Sequence, residues 1–138
     1  MPSARLEDAF ETAVIARMIN NGQSCIAAKR FIVHRDIHDE FIVQFAKRVS
    51  ALKVGDPMDK SVQVGPLATR QGIDNLERQV DATVSAGAKV LTGGKRIRQA
   101  GNFFQPTVLV EIPRGTPAYD DEMFGPVASV FRAENLGD

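Results

Sequence analysis

Cys25 is the only cysteine in the chain and lies within Asn20-Asn21-Gly22-Gln23-Ser24-Cys25-Ile26-Ala27-Ala28-Lys29-Arg30. A thiol attacks carbon when its thiolate is favoured. Gly22, three residues earlier, lets the backbone turn tightly and approach a ligand. A short helical turn beginning at Cys25 would point free N–H groups at the sulfur and favour the charged form. The competing reading is a small buried hydrophobe, the commonest role of a lone cysteine. His34 and His38 are the only histidines. A Cys–His pair would need one of them beside Cys25. His34 closes an expected strand and His38 opens an expected helix, both surface positions, so no such pair is expected.

Other clusters carry less. Asp120, Asp121 and Glu122 are acidic neighbours. With no nearby histidine or further carboxylates they read as a solvated turn, not a metal site. A single cysteine also excludes an internal disulfide and a Cys-based zinc cluster. Gly93-Gly94-Lys95 lacks the Gly-x-x-x-x-Gly-Lys-Ser/Thr pattern of a phosphate loop and reads as a hairpin or loop. Lys95-Arg96-x-Arg98 reads as a solvated loop.

The elements that must hold Cys25 follow from periodicity. Phe10, Ala13, Val14 and Met18 mark a helix over Leu6 to Ile19, stopped by Asn20-Asn21-Gly22. Phe31-Ile32-Val33 predicts a buried strand from Arg30 to His34. Asp36 is expected to cap the next helix, whose core face is Phe41, Ile42, Phe45, Ala46, Val49 and Leu52. Residues 53–70 form a loop punctuated by Gly55, Pro57, Gly65 and Pro66. A third helix spans Gln71 to Ala86, and a strand Ala88 to Leu91. Phe104 to Val110 is extended, Ala118 to Phe124 a turn or helical piece, and Val127 to Phe131 a final strand. Helices alternating with short buried strands imply an α/β domain with a mostly parallel sheet flanked by helices.

Composition narrows the function. The chain has 138 residues, 43% hydrophobic and 25% charged, which is ordinary globular usage and enough for one core. Seventeen basic side chains balance seventeen acidic ones. That leaves no electrostatic footprint for nucleic acid or an anionic membrane. No apolar run is long enough to cross a bilayer, and no signal-peptide core follows the N-terminus. The chain reads as a soluble cytoplasmic protein. It ends just after a strand and begins as abruptly, as an excised piece of a larger protein would.

Two segments carry a resemblance. Asn20-x-Gly22-Gln23-x-Cys25-x-x-x-x-Arg30 resembles the catalytic-cysteine motif of the aldehyde dehydrogenase superfamily. Asp121-Glu122-Met123-Phe124-Gly125-Pro126-Val127 resembles the same family's Glu-x-Phe-Gly-Pro-Val motif. The intervening Gly55-Asp56-Pro57 and Gly65-Pro66-Leu67 also fit. The wording of Ala27-Ala28-Lys29-Arg30-Phe31 and Phe104-Gln105-Pro106-Thr107-Val108 is most similar to succinate-semialdehyde dehydrogenases. The resemblance implies that residues 1–138 are part of a catalytic domain whose cofactor-binding domain lies outside this chain. It implies Cys25 as the nucleophile on a small aldehyde, passing through a thiohemiacetal and a thioester. It also implies NAD or NADP as cofactor, Glu122 on its nicotinamide-side ribose, Phe124 packed beside that ribose, and a homo-oligomeric parent.

The departures from the pattern set limits. Met18 stands where members often carry an aromatic residue. Ala27 stands where some carry a second cysteine, so a disulfide switch of that kind is unavailable. The resemblance places the general-base glutamate, the oxyanion asparagine and the cofactor domain upstream of residue 1. These 138 residues alone are therefore expected neither to oxidise aldehydes nor to bind the cofactor measurably. Two alternatives stay open: a non-catalytic interaction or regulatory module derived from this fold, and a different thiol enzyme such as an acyltransferase using Cys25.

Overall fold

A computed structural model describes residues 5–135. Helix α1 spans Leu6–Met18 and runs into a 3₁₀ turn, Ile19–Gly22. Strand β1 (Arg30–His34) is followed at once by helix α2 (Arg35–Ser50), and helix α3 spans Arg70–Ser85. Strands β2 (Lys89–Thr92) and β3 (Thr107–Val110) precede a short helix α4 (Pro117–Asp120) and strand β4 (Val127–Ala133). The strands form one sheet in the order β1-β4-β3-β2. β4 pairs in parallel with both β1 and β3, while β2 pairs antiparallel with β3. The sheet is thus α/β and mostly parallel, as the alternation of elements predicts.

Each face of the sheet has its own core. On one side Phe41, Phe45 and Val49 recur every fourth residue of α2, giving one apolar stripe. They pack with Phe10, Val108, Val110, Ala128 and Val130. The rings interlock, with centroids 5.7 Å apart for Phe10–Phe41 and 5.3 Å for Phe41–Phe45. On the other side Ile73, Leu76 and Val80 of α3 pack with Leu109, Met123 and Val127. Every residue of β3 is buried, as expected for a strand covered on both faces. The helices are tied down locally. Thr69 Oγ1 accepts from Gly72 N–H at 2.9 Å and caps α3, and Thr83 Oγ1 accepts from Ala118 N–H at 3.1 Å, joining α3 to α4.

Two local expectations are corrected. β1 is a strand but not a buried one: only Val33 is fully buried, Phe31 is partly covered and Ile32 is 69% exposed. β1 is an edge strand, with β4 on one side and no strand on the other among the described residues. The cap of α2 is His34, not Asp36. The His34 ring Nδ1 accepts from Asp36 N–H at 3.3 Å, and Asp36 falls inside the first turn.

The parallel register decides where chemistry can occur. Arg30 of β1 lies opposite Ser129 of β4, so the two strands begin at nearly the same level. The loops that enter them, residues 23–29 and 121–126, therefore emerge at the same end of the sheet.

Candidate active site

Three residues in sequence end α1 and aim the chain at Cys25. Asn20, Asn21 and Gly22 have φ of 49°, 56° and 76°, a left-handed run that asparagine and glycine tolerate best. The asparagine and glutamine then grip a distant loop. Asn21 Oδ1 accepts from Gly65 N–H at 2.8 Å, and Gln23 Oε1 accepts from Ala68 N–H at 2.8 Å. That explains the Gly65-Pro66-Leu67 segment, which serves as the backbone partner of the cysteine loop.

Cys25 itself is exposed and unpaired. It lies in a single turn closed by Ala27 N–H donating to Ser24 O at 3.1 Å. The expected helical turn does not form, because Ala28 N–H donates back to Ala16 O of α1 at 3.0 Å and the chain turns into β1. Among the described residues none accepts from the Cys25 N–H, which stays available beside the thiol. Neither histidine approaches it: the His34 ring serves Asp36 and the His38 ring meets Asp39 at 3.0 Å. His38 is also less exposed than expected, with its side chain 12% accessible.

The second segment is fastened to the first by four contacts. Gly22 lies so close to the Gly125 carbonyl that a Cβ on it would sit 2.0 Å from that oxygen. The Arg30 guanidinium donates to Tyr119 O at 2.8 Å and to Asp121 O at 3.0 Å, holding the approach to Glu122. Lys29 Nζ pairs with Glu122 Oε1 at 2.9 Å. The same ammonium donates to Ser24 O, Ala27 O and Cys25 O at 2.7, 2.9 and 3.2 Å. Cys25 and Glu122 thus share one cation. Arg17 lies beneath, fully buried, with Nη2 donating to Gly22 O at 2.7 Å. Burial pushes the Arg17 guanidinium down to about 10, against the opposing pull of the Glu122 charge.

Glu122 and Phe124 line a groove of about 920 Å³ with Gln23 and the Asn75, Leu76 and Gln79 side of α3. Phe124 is 45% exposed while its neighbours Met123 and Gly125 are buried, so it is not a core residue. Cys25 is outside the lining of this groove. The acidic cluster of Asp120, Asp121 and Glu122 gathers no further ligands: among the described residues no group of three or more His, Cys, Asp or Glu side chains could hold a metal. No helix among them is long and apolar enough to cross a membrane. Sequence reasoning missed Arg17 and Lys29. Arg17 carries a signal, a charge on the apolar face of α1 between Ala13 and the asparagines.

The whole chain, residues 1–138, matches the model of the aldehyde dehydrogenase family. The chain belongs to this family. It is 54% identical over all 138 residues to succinate-semialdehyde dehydrogenase (NADP+) 1 of Mycobacterium tuberculosis, and spans 30% of that protein's length. The succinate-semialdehyde dehydrogenase (NADP+) of Mycobacterium leprae is likewise 54% identical and spanned to 30%. Among solved structures, a succinate-semialdehyde dehydrogenase from Burkholderia pseudomallei superposes with a TM-score of 0.92 at 35% identity, over 98% of this chain and 28% of that one. An NAD+ complex of an aldehyde dehydrogenase from Bacillus cereus gives 0.94 at 29% identity, over 99% of this chain and 28% of that one.

Proposed function

We propose that this chain is the thiol-bearing part of an NADP+-dependent aldehyde dehydrogenase that oxidises succinate semialdehyde, with Cys25 as nucleophile. The observation that carries the reading is the meeting of two distant loops, in which Cys25 and Glu122 are held by one ammonium beside an open groove. The names of the similar mycobacterial proteins favour succinate semialdehyde, and NADP+ over NAD+.

The residues present fit a nicotinamide-side ribose. A carboxylate accepts from two neighbouring hydroxyls. Glu122 has one oxygen fixed by Lys29, which leaves the other for a ligand, and the half-exposed ring of Phe124 gives an apolar wall beside it. When bound, the cofactor supplies a hydride acceptor. Nucleophile and oxyanion donor come from the chain itself. The Cys25 thiolate adds to the aldehyde carbon, and the carbonyl electrons move to oxygen. The Cys25 N–H donates to that oxyanion, a contact that strengthens as negative charge develops. The sulfur then carries the acyl group as a thioester, which water releases as the carboxylic acid.

The test is NADPH formation from succinate semialdehyde by the full-length protein and its Cys25→Ala variant. Turnover that disappears with the thiol is the expected result. A folded full-length protein that oxidises no aldehyde, or whose Cys25→Ala form is as active, refutes the reading and favours a binding module built on the same fold.

A further inference from the structure

Lys29 follows the nucleophile by four residues, in the same short segment. Its side chain is 13% exposed, against 51% for Glu122. A lysine with solvent within reach ordinarily carries its ammonium into water. Here the ammonium is folded back under the cysteine turn. It meets four acceptors: the carbonyls of Ser24, Ala27 and Cys25, and Glu122 Oε1. An ammonium has three protons. One proton must therefore be shared, and the longest contact, 3.2 Å to Cys25 O, is the natural candidate for the weaker share.

This is a geometry that lysine suits and arginine does not. A compact point charge can sit at the focus of three converging carbonyls, whereas a planar guanidinium aims its donors outward in a fork. The consequence reaches both loops. The turn that presents the thiol is pinned at three carbonyls. The carboxylate of Glu122, half exposed and otherwise free to change rotamer, is held at one oxygen. Arg17 adds a second positive charge near Glu122 but contacts the loop at Gly22 O, not at the carboxylate.

We propose that Lys29 is a positioning residue, which fixes the Cys25 turn and the Glu122 carboxylate relative to one another through a single ammonium. The proposal rests on the roles given above to Cys25 and Glu122. It separates two effects of Lys29 that different substitutions isolate. Lys29→Arg keeps a charge for Glu122 but loses the convergence on the turn. Lys29→Met loses both.

Steady-state kinetics of the full-length enzyme with NADP+ and succinate semialdehyde read the two effects. Lys29→Met is expected to raise the KM for NADP+ and lower kcat, each by about tenfold, the scale of losing an outer-shell partner. Lys29→Arg is expected to keep the KM and lower kcat. Because Lys29 acts on the cofactor through Glu122, the KM of Lys29→Met/Glu122→Gln should equal that of Glu122→Gln alone. An unchanged NADP+ KM in Lys29→Met, with kcat falling only as the titratable thiol falls, assigns Lys29 a merely structural role and overturns the proposal. The coupling has a second readout that needs no activity. In amide NMR spectra of this 138-residue chain, Glu122→Gln should shift the Ser24 and Cys25 signals, and should cease to do so in a Lys29→Met background. Equal shifts in both backgrounds, or none in either, overturn it even where the assigned reaction is itself wrong.

Discussion

Replacing Gly22 by alanine tests whether the cysteine loop and the Gly125-Pro126 turn are in direct backbone contact. Two costs arise. The first is backbone strain, because φ is +76° and an L side chain disfavours that region by about 1–2 kcal/mol. The second is overlap: the new Cβ would lie 2.0 Å from Gly125 O and 2.4 Å from Gly125 C. Those are backbone atoms and cannot rotate away as a side-chain tip can. Forcing an extra methyl into a packed contact costs about 1–3 kcal/mol. The fold supplies its own control. Gly115 has φ of +80° with nothing within 4 Å of its Cβ position, so Gly115→Ala carries the strain without the overlap. For a domain of this size 1 kcal/mol moves Tm by roughly 4 °C. Gly115→Ala should therefore melt about 4–8 °C below the unmodified chain, and Gly22→Ala about 8–20 °C below it. Circular-dichroism melts of the three chains in one buffer give both differences. If Gly22→Ala melts no lower than Gly115→Ala, the two loops do not meet at this distance and the site geometry derived from their contact is wrong.

Phe45 is 0% exposed and stacks on Phe31 and Phe41, so Phe45→Ala should lower the unfolding free energy by about 3–5 kcal/mol, read from urea midpoints at unchanged slope. Arg17 is a base whose folded pKa is lowered to about 10, chiefly by burial. The unfolded chain binds the proton more tightly, so this group's contribution to stability rises as pH climbs above about 10. Arg17→Met should remove that rise, measured as the difference in urea midpoint between pH 9 and pH 11; an unchanged difference refutes the assignment. The 138 residues alone should give no NADPH with succinate semialdehyde and no saturable heat on titration with NADP+, and saturable binding would show that Glu122 and Phe124 suffice.

Helices α1 to α3 were legible because their apolar residues recur at three and four positions, a spacing only a helix turns to one face. The sheet was legible as a class but not in its order. Ile32 looked like a core residue because its type and neighbours are those of a buried strand, yet whether a strand is central or at an edge is decided by pairings far along the chain. Asp36 lost the cap of α2 to His34, whose ring nitrogen accepts from the Asp36 N–H, because the chain enters the helix two residues earlier than an aspartate cap requires. The resemblance names Phe124 for a site but does not show that its ring is exposed, which goes with the burial of Met123 and Pro126 on either side. Cys25, Glu122 and Phe124 were named through motifs. The groups that join them were not: a lysine in a short charged pair reads as solvated when its acceptor, Glu122, lies at the other end of the sequence.

The position of β4 has a kinetic consequence. It is the last described strand in sequence, yet it lies inside the sheet, between β1 and β3. Its pairing with β1 joins residues near opposite ends of the chain, a contact of high sequence separation that carries a large loop-closure entropy and forms late. As the polypeptide emerges during synthesis, Cys25 precedes its partner loop by most of the domain. Until β4 inserts, the edges of β1 and β3 are both unpaired, and an exposed thiol is carried on a sheet open to other chains. Assembly of the site is therefore the same event as closure of the sheet, and a variant that slows the insertion of β4 should show itself first as aggregation during folding.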